Sequence, residues 1–187
     1  MSRVALFLAV LVVGCNSAEP GTDASPPIRE DAAPPPQCDV SPPLELGRCV
    51  DEAGGGCDGG EELALFAPLE DGASIAPVIG PQSSTMFALA IRASGVAPGD
   101  PDVAFSSSNP ELDLLLAEEG GHEVARYRGR SGLRAVDGVE DTFENPQVFV
   151  VVDERPSSLR GQTFTVSAVL RDVMGEVGCG TLRFVAE

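Results

Sequence analysis

From residue 62 onward, apolar and polar residues alternate in short runs with the period of a β-strand rather than a helix. Residues 85–93 put Phe87, Leu89 and Ile91 on one face. Residues 163–171 put Phe164, Val166, Ala168 and Leu170 on one face, with Thr165 and Ser167 opposite. In 122–130, Val124, Arg126, Arg128 and Arg130 share a face, and Ala125 and Tyr127 take the other. Residues 147–152 are continuously apolar after Gln147, which predicts a strand covered on both sides. Shorter strands are predicted at 63–67 and 103–107. A closing strand at 178–185 follows the turn Asp172-Val173-Met174-Gly175. Residues 110–118 carry two signals. Asn109-Pro110-Glu111 could start a helix that Gly120-Gly121 would stop, but Leu112, Leu114 and Leu116 alternate, so the segment is read as a strand. About eight or nine strands with no long helical period predict an all-β fold, an antiparallel β-sandwich over residues 62–187.

The first 61 residues lack this pattern. Residues 38–61 are rich in cysteine, glycine and acids and are read as a disulfide-held lead-in. In residues 16–37, six of the 22 are proline and Ile28 is the only large apolar side chain. That composition cannot bury enough surface to offset ordering, so the segment is read as a spacer tether. Ahead of it, Arg3 precedes ten apolar residues at 4–13, too few for a helix to cross a bilayer, which needs about 20. This is the layout of an export signal occupying 1–14.

Leu11-Val12-Val13-Gly14-Cys15 resembles the lipobox of bacterial lipoprotein precursors. That resemblance implies cleavage before Cys15 and acylation of its sulfur, so that 15–37 becomes a lipid-anchored tether. More than one acyl chain gives stable attachment. In such lipoproteins a residue other than aspartate after the cysteine, here Asn16, implies the outer membrane of a Gram-negative cell envelope. If Cys15 carries lipid, the remaining Cys38, Cys49, Cys57 and Cys179 can form two disulfides. Three connectivities are open. Cys38 with Cys49 and Cys57 with Cys179 is the expected one, provided the first and last strands lie side by side. The final hairpin resembles the last strands of immunoglobulin-like domains. Pro68-Leu69-Glu70-Asp71-Gly72, Gly80-Pro81-Gln82 and Ser94-Gly95-Val96-Ala97-Pro98-Gly99-Asp100 resemble segments of uncharacterised myxobacterial lipoproteins, which bring a fold and a compartment but no activity.

The formal charge of -17 makes nucleic acid a poor partner, because phosphate backbones are repelled. All twelve basic residues are arginine. Candidate chemistry is sparse. His122 is the only histidine and no Gly-x-Ser-x-Gly elbow accompanies it, so it is read as a surface turn residue and no catalytic residue is assigned. Carboxylate pairs at Asp153-Glu154, Glu118-Glu119 and Glu140-Asp141 sit in turn contexts, which leaves an envelope hydrolase as a minor alternative. The acidic loop with Asp51, Asp58 and Glu61 raises calcium as the one cofactor to consider. A calcium-dependent adhesion domain is the alternative that follows, although the spacing is not that of an EF-hand. Arg126, Arg128 and Arg130, with Arg134 nearby, form the only basic concentration. They suit an acidic envelope protein or polysaccharide, or serve as a solvated face whose charge reversal would leave stability unchanged. The reading that results is a non-enzymatic binding or structural module displayed from the cell envelope.

Overall fold

The computed structural model describes residues 44–57, 64–175 and 177–187, together with the backbone but not the side chain of Val177. The signal segment, Cys15, the tether, Cys38, Asp58 and Glu61 lie outside the described residues. The described residues form eleven strands: β1 (Leu44–Val50), β2 (Leu65–Pro68), β3 (Ala73–Ile75), β4 (Val78–Ile79), β5 (Thr85–Ser94), β6 (Glu111–Glu118), β7 (Glu123–Arg130), β8 (Arg134–Ala135), β9 (Thr142–Val152), β10 (Thr163–Arg171) and β11 (Val177–Ala186). A four-residue helix, α1 (Pro156–Leu159), links β9 to β10.

The strands form two sheets. One runs β2-β1-β5-β9-β8, with β4 also paired to β5; the other runs β3-β11-β10-β6-β7. Every strand pairing is antiparallel except β3 with β11. Between the sheets, Phe87, Leu89, Ile91, Val148 and Val150 from the first meet Leu112, Leu114, Leu116, Phe164 and Phe184 from the second. The three phenylalanines are fully buried, with ring centroids 5.0–5.7 Å apart. Of these, Phe87, Leu89, Ile91, Leu112, Leu114, Leu116 and Phe164 are residues that the period-2 pattern places on one face.

The segment at 110–118 is a strand, and its three alternating leucines are at most 1 % exposed. A helix would have spread them around its circumference. Strand β9 begins five residues earlier than the strand predicted at 147–152 and contains Pro146. Leu89 pairs with Val148 and Ile91 with Asn145, so the register slips by one residue opposite the proline, which has no N–H to donate. The expectation that 147–152 is covered on both sides holds only in part, because Val151 is half exposed.

Two expectations are corrected. Residues 103–107 form turns, not a strand, and Phe105 lies exposed with φ 60°. Leu44–Val50, inside the stretch read as a lead-in, is a strand held between β2 and β5. The missed strand also decides the disulfide. Cys49 bonds to Cys57 with Cα atoms 5.5 Å apart, replacing the expected pairings Cys38–Cys49 and Cys57–Cys179. Both sulfurs belong to a small apolar cluster with Ala64, Ala88, Val78 and Phe149, on the outer side of the first sheet. Cys179 faces the outer side of the second sheet, beside Val169, and among the described residues it has no sulfur partner. The first and last strands lie in different sheets, so the premise of the expected pairing fails.

The sheet edges are short or charged. β2 has four residues and ends in proline, β3 has three and β8 has two, while β7 carries Glu123, Arg126, Arg128 and Arg130.

Candidate functional site

The strand period places the arginines of β7 on the outer face of the second sheet, and the cross-strand register gives each a carboxylate. Asp113 of β6 lies opposite Arg128, and Glu111 lies opposite Arg130. Arg126 donates to Asp113 through Nε at 2.8 Å and Nη2 at 2.7 Å, a two-pronged contact. Arg128 donates Nε to the same carboxylate at 3.0 Å. Arg130 donates to Glu111 and, through Nη1, to the carbonyls of Ser107 and Asn109. This face is therefore not the solvated stripe the spacing suggested. The Arg126 side chain is 18 % exposed, whereas that of Arg128 is 63 % exposed. Reversing all three charges would break these pairs, so the expectation of unchanged stability is withdrawn. Arg134 does not belong to this face at all. It sits in the other sheet, where it shares Glu144 with Arg92.

Arg128, Arg130 and Arg171 line a shallow basin of about 410 Å³ with Glu111, Asp113, Leu112 and Gly129. Arg171 is exposed at the end of β10, beside Glu111 in the register. The basin thus brings three guanidinium groups and two carboxylates together, with Asp113 mostly buried and Arg128, Glu111 and Arg171 exposed. Exposed guanidinium groups such as those of Arg128 and Arg171 can take planar or tetrahedral oxyanions.

The Arg126 guanidinium holds the Asp113 carboxyl below the usual carboxylate range; burial opposes this and Arg128 adds to it. Asp113 in turn raises Arg126 above the ordinary arginine value. Burial alone pushes the Tyr127 hydroxyl up. A depressed folded-state pKa means that Asp113 contributes stability at pH above its unfolded value, about 3.9, and loses it as pH falls through the folded value. Asp113→Asn is therefore expected to destabilise by roughly 2 kcal/mol at pH 7 and by much less at pH 2. Urea titrations at the two pH values check this, and an equal loss at both would remove the ion pair from the explanation.

The remaining candidates do not converge. His122 is exposed in the β6–β7 turn, after Gly120 and Gly121 at positive φ. Asp51 accepts the backbone N–H of Gly55 at 2.7 Å within its own turn, and its proposed partners Asp58 and Glu61 lie outside the described residues. Among the described residues no three His, Cys, Asp or Glu side chains gather as a metal site. Glu154 accepts from Ser158, and Glu140 and Asp141 are exposed in the turn before β9. Sequence reasoning missed Arg171 and the Arg92–Glu144–Arg134 cluster. Strict alternation assigns Arg171 to the same outward face as Thr165 and Ser167, so a signal for it existed. The cluster joins residues 52 and 10 positions apart and leaves none. No family model matches the chain, and no curated protein matches it.

Proposed function

We propose that the chain is a lipid-anchored cell-envelope module with an immunoglobulin-like β-sandwich that binds rather than transforms its partner. The two-sheet antiparallel arrangement supports the domain type. The Leu11-to-Cys15 motif and the proline-rich segment after it support anchoring and spacing. The observation that supports the binding role is the arginine-lined basin. Two of its three guanidinium groups, those of Arg128 and Arg130, are paired with Asp113 and Glu111, and Arg171 is exposed beside them. Held guanidinium groups select an oxyanion by geometry at low entropic cost.

The test follows the chain in cells supplied with labelled palmitate. Label should enter the wild-type protein and be absent from Cys15→Ser, and the mature amino terminus should begin at an acylated Cys15. An unmodified terminus elsewhere would remove the anchor from this reading.

A further inference from the structure

Three loops meet at the end of the body where β1 begins. Leu44 pairs with Ala93, so the chain joins the body beside the loop that follows β5. That loop is pinned internally: buried Asn109 accepts the Asp100 N–H at 2.7 Å and donates to the Val103 carbonyl at 2.9 Å. It is also tied to the β10–β11 turn, because the Asp172 carboxylate accepts the N–H of Ala97 at 2.7 Å and of Met174 at 2.8 Å. Its base meets the β8–β9 turn through the Gly95 N–H and the Asp141 carbonyl, 3.1 Å apart.

These pinned loops expose large apolar side chains: Met174 (80 %), Phe105 (78 %), Val173 (53 %), Val139 (52 %) and Val103 (50 %). Phe105 is held at φ 60°, a costly region for a bulky residue, with its ring outward. The arginine basin opens beside the same loops. Arg130 donates to the Ser107 carbonyl, and Arg171 immediately precedes the turn bearing Val173 and Met174. Apolar tips flanked by guanidinium groups match a lipid interface, where acyl chains lie beneath a layer of phosphates.

We propose that this pole seats on a zwitterionic phospholipid surface, with Phe105 and Met174 entering the apolar layer and Arg128, Arg130 and Arg171 meeting headgroup phosphates. The assignment rests on the proposed anchoring, and names the lipid headgroup as the oxyanion the basin takes. The charge balance at the pole selects the lipid class. Asp100, Asp102, Asp137 and Glu140 are also exposed here, so a purely anionic surface is repelled. Phosphatidylethanolamine offers an ammonium to these acids and a phosphate to the arginines. Position agrees: 28 residues lie between Cys15 and Leu44, and β1 starts at this pole, so the anchored chain would lead to the surface that touches the bilayer.

The chain has no tryptophan, so one introduced indole reports its own surroundings. Full-length acylated protein is reconstituted into phosphatidylethanolamine–phosphatidylcholine vesicles, some with brominated acyl chains, as Phe105→Trp and, at the opposite pole, His122→Trp. Bromolipid should quench the Phe105→Trp indole about twofold and shift its emission to the blue, and leave the His122→Trp indole unchanged. Adding Met174→Asp to the Phe105→Trp protein should abolish the quenching without altering the melting temperature. An unquenched indole in Phe105→Trp protein whose mass shows acylation overturns the seating and leaves the anchor standing. Equal quenching of both probes overturns it too, as does a blue shift of the Phe105→Trp variant that requires added envelope protein or grows with protein concentration in the absence of vesicles. A mature chain without acyl mass removes the anchor and the seating together.

Discussion

Phe184→Ala is expected to lower the free energy of unfolding by about 3–5 kcal/mol, the loss typical of removing a buried ring. Phe184 on β11 meets Phe87 on β5 edge-on at 5.0 Å and Phe164 on β10 at 5.7 Å, so one ring joins both sheets. All three are fully buried, and the neighbours are strand residues whose backbones are fixed in ladders. Such a site collapses little, and the cavity term adds to the lost transfer free energy. Phe184→Leu keeps much of the volume and should cost roughly half as much. Urea unfolding followed by far-ultraviolet circular dichroism measures both. A loss below about 1 kcal/mol for the alanine variant would mean that the surrounding chains close over the gap, against the rigid core described here.

The second large effect is expected at Glu144. Its side chain is 8 % exposed and holds two arginines: Oε2 accepts from Arg92 Nη2 at 2.8 Å, and Oε1 accepts from Arg134 Nη2 at 3.1 Å. The Arg92 guanidinium also lies over the Phe66 ring, 4.1 Å from its centroid. Glu144→Gln preserves shape and removes the charge, leaving two cations facing each other in a half-buried cluster. The expected loss is about 3 kcal/mol, toward the lower end for broken buried pairs because water reaches Arg134. Replacing Glu144, Arg92 and Arg134 together by leucine or methionine should recover most of it, since the desolvation of three charges disappears with them. If the triple replacement is worse than Glu144→Gln alone, the cluster stabilises the fold outright and the desolvation argument fails.

Local pattern carried much of this fold. The inward faces of β5, β6 and β10 are plain in the alternation of Phe87, Leu89 and Ile91, of Leu112, Leu114 and Leu116, and of Phe164 to Leu170, because burial on one face leaves a period of two. β1 escaped notice for a physical reason. After Leu44 and Leu46 it continues with Gly47, where a side chain would strike the Ala67 carbonyl and the Phe66 ring of β2. A glycine required by close approach carries no hydropathy signal, and Cys49 was counted as a staple when it is also a strand residue. Residues 103–107 misled in the opposite sense, since Val103 and Phe105 have strand-like spacing but point outward from a loop held by Asn109. At the candidate site, the shared face of Arg126, Arg128 and Arg130 was visible from spacing alone. Their engagement with Asp113 and Glu111 depends on the β6–β7 register, which a bulge at Leu116–Ala117 helps to set and which no local pattern encodes.

If the chain is lipid-anchored as proposed, the margins of the two sheets govern how neighbouring copies meet. Chains moored in a bilayer share a thin layer where neighbours collide constantly, and an open ladder of unpaired amides would invite them to zip together into fibres. Here the outermost strands are a proline-ended stub, two scraps of two and three residues, and one long strand studded with charge. Crowded copies should therefore jostle as separate bodies, and a membrane to which the chain were anchored as proposed could carry many of them without seeding polymer growth.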